Sequence, residues 1–197
     1  MSRSDSVLLR SWATSGLLFV FNGWYRYATG RLLMNTDRIE KKILLHATRE
    51  RVWQAISDSK QFGIWFGVAF DGPFAEGARL TGRIVPTTVD SEVAKLQKPH
   101  AGMAFEFAVD RIEPMRRFSF RWHPFAVEPS VDYSKEPTTL IVFELQEVSG
   151  GTLLTISESG FDQIPLARRA KAFAANDGGW TMQTKLIERY LAMQADV

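Results

Sequence analysis

The sequence predicts an α+β fold in which one curved antiparallel sheet wraps around a long final helix. Three observations predict it. Short stretches from residue 79 to 159 alternate apolar and polar residues, most with one apolar face only. Two helical windows follow directly on the first strand, and a last helical stretch runs from Pro165 to about Met193. A run of one-faced strands must bury its apolar side, and the final helix is the element available to cover it.

In order, IEKKILLHA places Ile39, Ile43 and Leu45 on one face and reads as a strand. Thr48 stands before RERVWQAISD in N-cap position, with Arg51 where a capping box would put Glu. Val52, Trp53 and Ile56 then recur at helical spacing. SKQFGIWFG is a second short helix, weakened and bent by Gly63 and Gly67. ARLTGRIV aligns Leu80, Gly82 and Ile84, and FEFAVDRIEP turns Phe105, Phe107 and Val109 inward. The shift to Ile112 predicts a bulge before Pro114. RFSFRW alternates Phe118, Phe120 and Trp122 against Arg117, Ser119 and Arg121. TTLIVFEL and TLLTISES complete the strands, joined by a hairpin turn at Ser149-Gly150-Gly151. In the last helix, Gly178-Gly179 predicts a division. Leu166–Ala175 is then a first segment, Asn176-Asp177 a junction and cap, and Trp180 onward the helix held by the sheet. The glycines would let the helix bend or the sheet approach closely. Two stretches, 86–103 and 123–137, read as long loops, the second broken by Pro124, Pro129 and Pro137. Long loops are where binding groups gather.

Composition narrows the function. The 197 residues include 14 Phe, 6 Trp and 4 Tyr, more rings than a core of this size needs, and the surplus can line a cavity. Residues 1–33 hold four of the 24 basic residues and one of the 22 acids, which leaves 20 bases against 21 acids in the remainder. A body so near neutrality offers no electrostatic basis for binding nucleic acid. The run RRAK at 168–171 reads as the solvated face of a helix. The absence of cysteine excludes disulfides, thiolate zinc sites, cysteine nucleophiles and cysteine-ligated iron–sulfur clusters, and agrees with a reducing cytoplasm. His46, His100 and His123 are far apart and lack metal-ligand spacing, and no G-x-S-x-G, P-loop or G-x-G-x-x-G is present. No metal site and no cofactor are expected.

Three polar residues are candidates for chemistry. Glu158 continues the inward parity of Leu154 and Ile156, where burial would raise its pKa unless a cation pairs with it. It could orient a ligand or act as acid or base, or a bulge could turn it to solvent. His123 sits beside the long loop at the end of RFSFRWH, as a second acid–base candidate or a plain structural residue. Thr184 shares a helix stripe with Trp180, Ile187 and Leu191, where its hydroxyl can bond a ligand or the carbonyl one turn back. The rings of Trp65, Phe66, Phe105, Phe107, Phe120, Trp122, Phe143, Phe161 and Trp180 are the candidate ligand-binding wall, each also a candidate for plain core.

Read together, IEKKILLHATRERVWQAISD, the Trp65-Phe66 pair, VDRIEPMRRFSFRW, LLTISESGFD and GWTMQTKLIERYL resemble the START-like, or SRPBCC, superfamily with its helix-grip fold. Within it the chain is similar to the family named after the activator of the ninety-kilodalton heat-shock protein ATPase, over roughly residues 37–192. The resemblance implies an apolar cavity between sheet and final helix, and a hydrophobic small molecule as ligand, in the cytoplasm and without strong catalysis. Its alternatives are a protein-binding module that assists a chaperone in the stress response, or a cyclase- or hydrolase-type enzyme using Glu158 or His123. Two departures bear on the ligand: Thr184 stands where relatives usually carry leucine, and both loops are long. The reductase role that names some relatives is excluded, since neither cluster cysteines nor a dinucleotide fingerprint is present.

The recognisable pattern begins within a few residues of Met34, so 34–197 are expected to be the domain and 1–33 an over-extended start or a dispensable appendage. The apolar stretch SWATSGLLFVFNGWY between Arg10 and Arg26 would span roughly 22 Å as a helix, short of the ~30 Å hydrocarbon core. Its uninterrupted run Leu17 to Phe21 is too short for a signal peptide. A peripheral membrane helix is the alternative for that segment.

Overall fold

The computed structural model describes residues 37–128 and 131–194. The expected extension at 1–33 lies outside the described residues. Seven strands form one antiparallel sheet in the order β1 (Arg38–Leu45), β7 (Gly151–Ser159), β6 (Thr139–Val148), β5 (Arg117–Trp122), β4 (Ala104–Glu113), β3 (Arg79–Ile84) and β2 (Val68–Phe70). Helices α1 (Arg49–Ser57) and α2 (Ser59–Phe66) follow β1, α3 (Ser91–Gln97) lies between β3 and β4, and α4 (Leu166–Met193) comes last. This is the α+β helix-grip arrangement.

Local chemistry accounts for the helix boundaries. Thr48 Oγ1 accepts from the Arg51 amide, and Asp58 ends α1 while capping α2 through the amides of Lys60 and Gln61. Gly67 closes α2 in the left-handed region at φ 88°, where a Cβ would also lie 2.4 Å from the Gln97 side chain. The bulge in β4 falls between Val109 and Arg111, and the Glu76 carboxylate accepts the Ile112 amide there.

Phe62 of α2 is fully buried and centres the core. Its ring lies 5.6–6.5 Å from those of Phe70, Phe74, Phe107, Phe118, Phe120 and Phe143. From α4, Trp180, Leu186, Ile187, Tyr190 and Leu191 are buried in the same core.

Three expectations are corrected, and one strand is added. The stretch 86–103 holds α3, capped by Asp90, and a 3-10 turn at Lys98–His100. With Val93 as its one buried residue, α3 has no apolar periodicity to read. Strand β2 has three residues, too few to show alternation. Helix α4 runs unbroken through Gly178-Gly179, and a Cβ added at either glycine meets no atom within 4 Å. Those glycines therefore serve no close approach of the sheet, and burial of the following turns carries the helix through them. Finally, RRAK is a solvated face only in part: Ala170 and Lys171 are exposed, whereas Arg168 is largely buried. Arg168 donates to Glu136 and to the Pro124 and Phe125 carbonyls, Arg169 to the Ile164 and Asp162 carbonyls, and Lys171 to Glu128.

Among the described residues, no helix is long and apolar enough to cross a membrane.

Candidate functional site

The site begins with a buried carboxylate. Glu158, near the end of β7, is fully buried. Its Oε1 accepts from Trp122 Nε1 at 2.9 Å, Thr139 Oγ1 at 2.6 Å and Asn176 Nδ2 at 2.9 Å. Its Oε2 accepts from Trp180 Nε1 at 2.6 Å and again from Asn176 Nδ2 at 3.0 Å. Every donor is neutral. Burial pushes the Glu158 pKa up from its usual 4.5, and the hydrogen bonds from Thr139, Trp122, Trp180 and Asn176 pull it back only in part.

These bonds position the rings above them. The Trp122 and Trp180 indoles stack at 5.6 Å with 28° between planes, and Phe66 lies 5.9 Å from Trp122 and 6.0 Å from Trp180. Strand β5 and helix α4 are thus tied through one carboxylate. A second tie gathers at the Phe66 carbonyl, left without an intrahelical partner at the end of α2. It accepts from Gln97 Nε2 of α3 at 3.0 Å and from Gln183 Nε2 of α4 at 3.2 Å. Gln97 in turn accepts the Thr87 amide at 2.8 Å.

Beside these two ties lies a pocket of about 330 Å³. Its sheet wall is Ile84, Phe105 and Trp122, and Gly82 leaves the room that the Phe105 ring occupies: a Cβ there would stand 2.6 Å from it. The segment 86–103 contributes Leu96, Gln97, His100 and Met103. The segment 123–137 contributes His123, Phe125, Ala126 and Val127, and α4 contributes Asn176, Gly179, Met182 and Gln183. No Lys, Arg, Asp or Glu is among the lining residues. A smaller space of about 110 Å³ adjoins it against Trp180.

Segment 123–137 is fastened over the pocket by helix α4. Arg168 Nε bonds Glu136 at 2.7 Å, Arg168 Nη1 bonds the Pro124 carbonyl at 3.0 Å, and its guanidinium lies 4.8 Å from the Tyr133 ring centre. Lys171 reaches Glu128 at 3.2 Å and lies 5.3 Å from the Phe125 ring centre. Phe125 itself sits at φ 49°, a left-handed conformation costly for a bulky residue.

The predicted aromatic wall divides. Phe66, Phe105 and Trp122 line the pocket, as does His123, and Trp180 lines the adjoining space. Trp65, Phe107, Phe120, Phe143 and Phe161 are fully buried core, with Trp65 Nε1 donating to the Ala55 carbonyl at 2.9 Å. Glu158 lies behind the wall and lines neither space. The Thr184 hydroxyl donates to the Thr181 carbonyl at 3.0 Å and is absent from both linings, so its expected place at the ligand is corrected. Asn176, Gln97, Gln183 and Arg168 were not legible as site residues. Nothing in a lone helical Gln or Asn distinguishes it from a solvated one.

The profile of the family described as "Activator of Hsp90 ATPase homolog 1-like protein" matches residues 46–192. The chain belongs to that family. It is a START-like superfamily domain, and solved structures share its fold at low identity. A protein from Arthrobacter aurescens superposes with a TM-score of 0.62 at 16% identity, covering 80% of this chain and 87% of its own. Protein MLL2253 from Mesorhizobium loti gives 0.58 at 18% identity, covering 79% and 97%. The Aha1 dimer from Colwellia psychrerythraea gives 0.56 at 16% identity, covering 78% and 95%. No curated protein sequence matches the chain.

Proposed function

We propose that this domain binds a hydrophobic small molecule in the pocket between the sheet, α3, the 123–137 segment and α4. One observation carries the reading: the space of about 330 Å³ is walled by Phe66, Ile84, Met103, Phe105, Trp122 and Met182 without a single Lys, Arg, Asp or Glu. That volume falls within the range of small-molecule sites, at its lower end. Apolar area buried by a ligand contributes roughly 25 cal/mol per Å², so a snug apolar guest gains affinity without any ion pair. Glu158 holds the wall in place and is not offered to the ligand, since both its oxygens are already engaged. A chain without cysteine suits the reducing cytoplasm as its place of work.

Native mass spectrometry of the protein purified from its own host tests this reading. A co-purifying small molecule released on activation is the expected result. A bare protein that also fails to take up Nile red, a neutral apolar dye, would overturn it. A co-purifying chaperone would favour the protein-binding alternative instead.

A further inference from the structure

We propose that Glu158 makes this pocket a site for uncharged apolar molecules and excludes amphiphilic carboxylates, acting across the Trp122 and Asn176 side chains that separate it from the ligand. This rests on the ligand-binding reading above and names the charge class of the ligand.

The donors around Glu158 fix its charge. The indoles of Trp122 and Trp180 and the Asn176 NH₂ group can only donate, and together they engage both carboxyl oxygens. Of the four partners, only Thr139 has an oxygen able to take a proton from it. Such a set suits a carboxylate and offers a protonated acid one acceptor at most. No Lys or Arg is bonded to Glu158 among the described residues, so neutral dipoles hold the charge and no cation cancels it. Other charges around the pocket differ in this respect. Arg168 and Lys171, which touch the 123–137 segment, are paired with Glu136 and Glu128, and Asp177 is paired with Lys41.

Trp122 and Asn176 both line the pocket and both bond Glu158, so the carboxylate lies one side chain behind the wall. Between them lies protein and not water, and a charge acts further through such a medium. An anion in the pocket would meet this field and find no lining Lys or Arg in exchange for its lost water. A cation would also lose its water, since no Asp or Glu lines the pocket and both Glu158 oxygens are engaged. The field of Glu158 nevertheless favours a cation over an anion. The expected order of affinity is therefore neutral, then cation, then anion.

Protein-observed NMR titration of the full chain with three probes of matched shape tests this order. The probes are 1-acetylnaphthalene, 1-naphthoate and 1-naphthylmethylammonium, at pH 8, which favours the uncharged form of the lining histidines His100 and His123. The neutral ketone should bind most tightly, and the ammonium probe about tenfold more tightly than naphthoate. The two charged probes both lose their water, so their ratio isolates the field of Glu158. In Glu158→Gln that ratio should fall to within about threefold of unity. Each ratio is taken within one protein, so an affinity loss common to all probes cancels. A wild-type ammonium-to-naphthoate ratio below about threefold overturns the inference, and so does a full ratio retained in Glu158→Gln. Either charged probe binding more tightly than the ketone also overturns it. Should Glu158→Gln not fold, the wild-type order alone decides. Equal binding of all three probes leaves the hydrophobic pocket standing and removes only the charge selection; failure of all three to bind removes the pocket reading too.

Discussion

The two ends of the sheet's inner face are built from the same kind of residue and end differently. At one end Phe62 rises from α2 into a ring of phenylalanines and fills the space completely. At the other, Phe66, Phe105, Trp122 and Phe125 face a void. The difference lies in what covers them. A helix supplies a large aromatic side chain over the first group, whereas the residues α4 supplies to the second, Asn176, Gly179, Met182 and Gln183, include one with no side chain. Aromatic content therefore does not make a cavity. The small residue opposite does.

The largest test of that contrast is Phe62→Ala against Phe105→Ala. Removing a fully buried ring from a filled core should cost about 3–5 kcal/mol, as measured by denaturant unfolding. Phe105 is half-buried and already borders a void, so its loss should cost markedly less while weakening the binding of Nile red. Equal losses would mean that the two ends are packed alike.

Glu158→Gln sharpens the comparison from the polar side. The substitution keeps the shape but sets an amide NH₂ against donors from Trp122, Thr139, Trp180 and Asn176. A buried donor left unpaired costs about 1–3 kcal/mol, and that loss is expected at neutral pH. The pH dependence has a definite sign. Folded Glu158 has a pKa raised above 4.5, so the folded state holds this proton to a higher pH than the unfolded chain does. Its contribution is fully present below 4.5 and is lost as pH rises through the folded value. Unfolding of the Gln variant should lack that decline, and the gap to wild type should narrow as pH rises. A Gln variant more stable than wild type at neutral pH would show that burial cost outweighs the donor set.

Much of this contrast was legible in the sequence, and the illegible part has one cause. Strand parity placed Phe105, Phe107, Phe120 and Glu158 inward because one-faced strands carry a period of two residues. Parity says which face a side chain takes and nothing about what stands opposite. Hence Phe107 and Phe120 appeared equivalent to Phe105, although only Phe105 reaches the pocket. The same limit hid the partners of Glu158, since Trp122, Thr139, Asn176 and Trp180 lie 18 to 36 residues away. Helix α3 escaped because a short capped helix with one buried residue has no apolar stripe. The clamp from RRAK escaped because charge runs are read as solvated unless their partners are known.

That clamp gives the next test. Arg168→Met removes the bonds to Glu136 and to the Pro124 and Phe125 carbonyls, all of them on the pocket's cover. The Arg168 and Glu136 side chains are only 18% and 14% exposed, so leaving the Glu136 carboxylate without its partner should lower global stability by about 1–3 kcal/mol. The local effect should be clearer. The amides of Val127 and Glu128, bonded to the Phe125 carbonyl and the Tyr133 hydroxyl, should exchange with solvent about tenfold faster. Unchanged exchange there would mean that the segment is held by its own packing.

The smallest expected effect bears most directly on why one end is open. Gly179 lies mid-helix in α4 and lines the pocket, and an added Cβ meets no atom within 4 Å. Its carbon-free side neither relieves a clash nor adopts a special backbone. Gly179→Ala should therefore stabilise the protein, by about 0.5–1 kcal/mol of recovered helix preference. Gly179→Leu should carry the argument further by placing a side chain in the void. It should keep the fold and abolish uptake of Nile red, because the end built like the pocket then becomes built like the core. A leucine variant that still binds the dye with wild-type affinity would locate the site away from Gly179. A destabilised alanine variant would show instead that the helix needs this glycine for its own backbone.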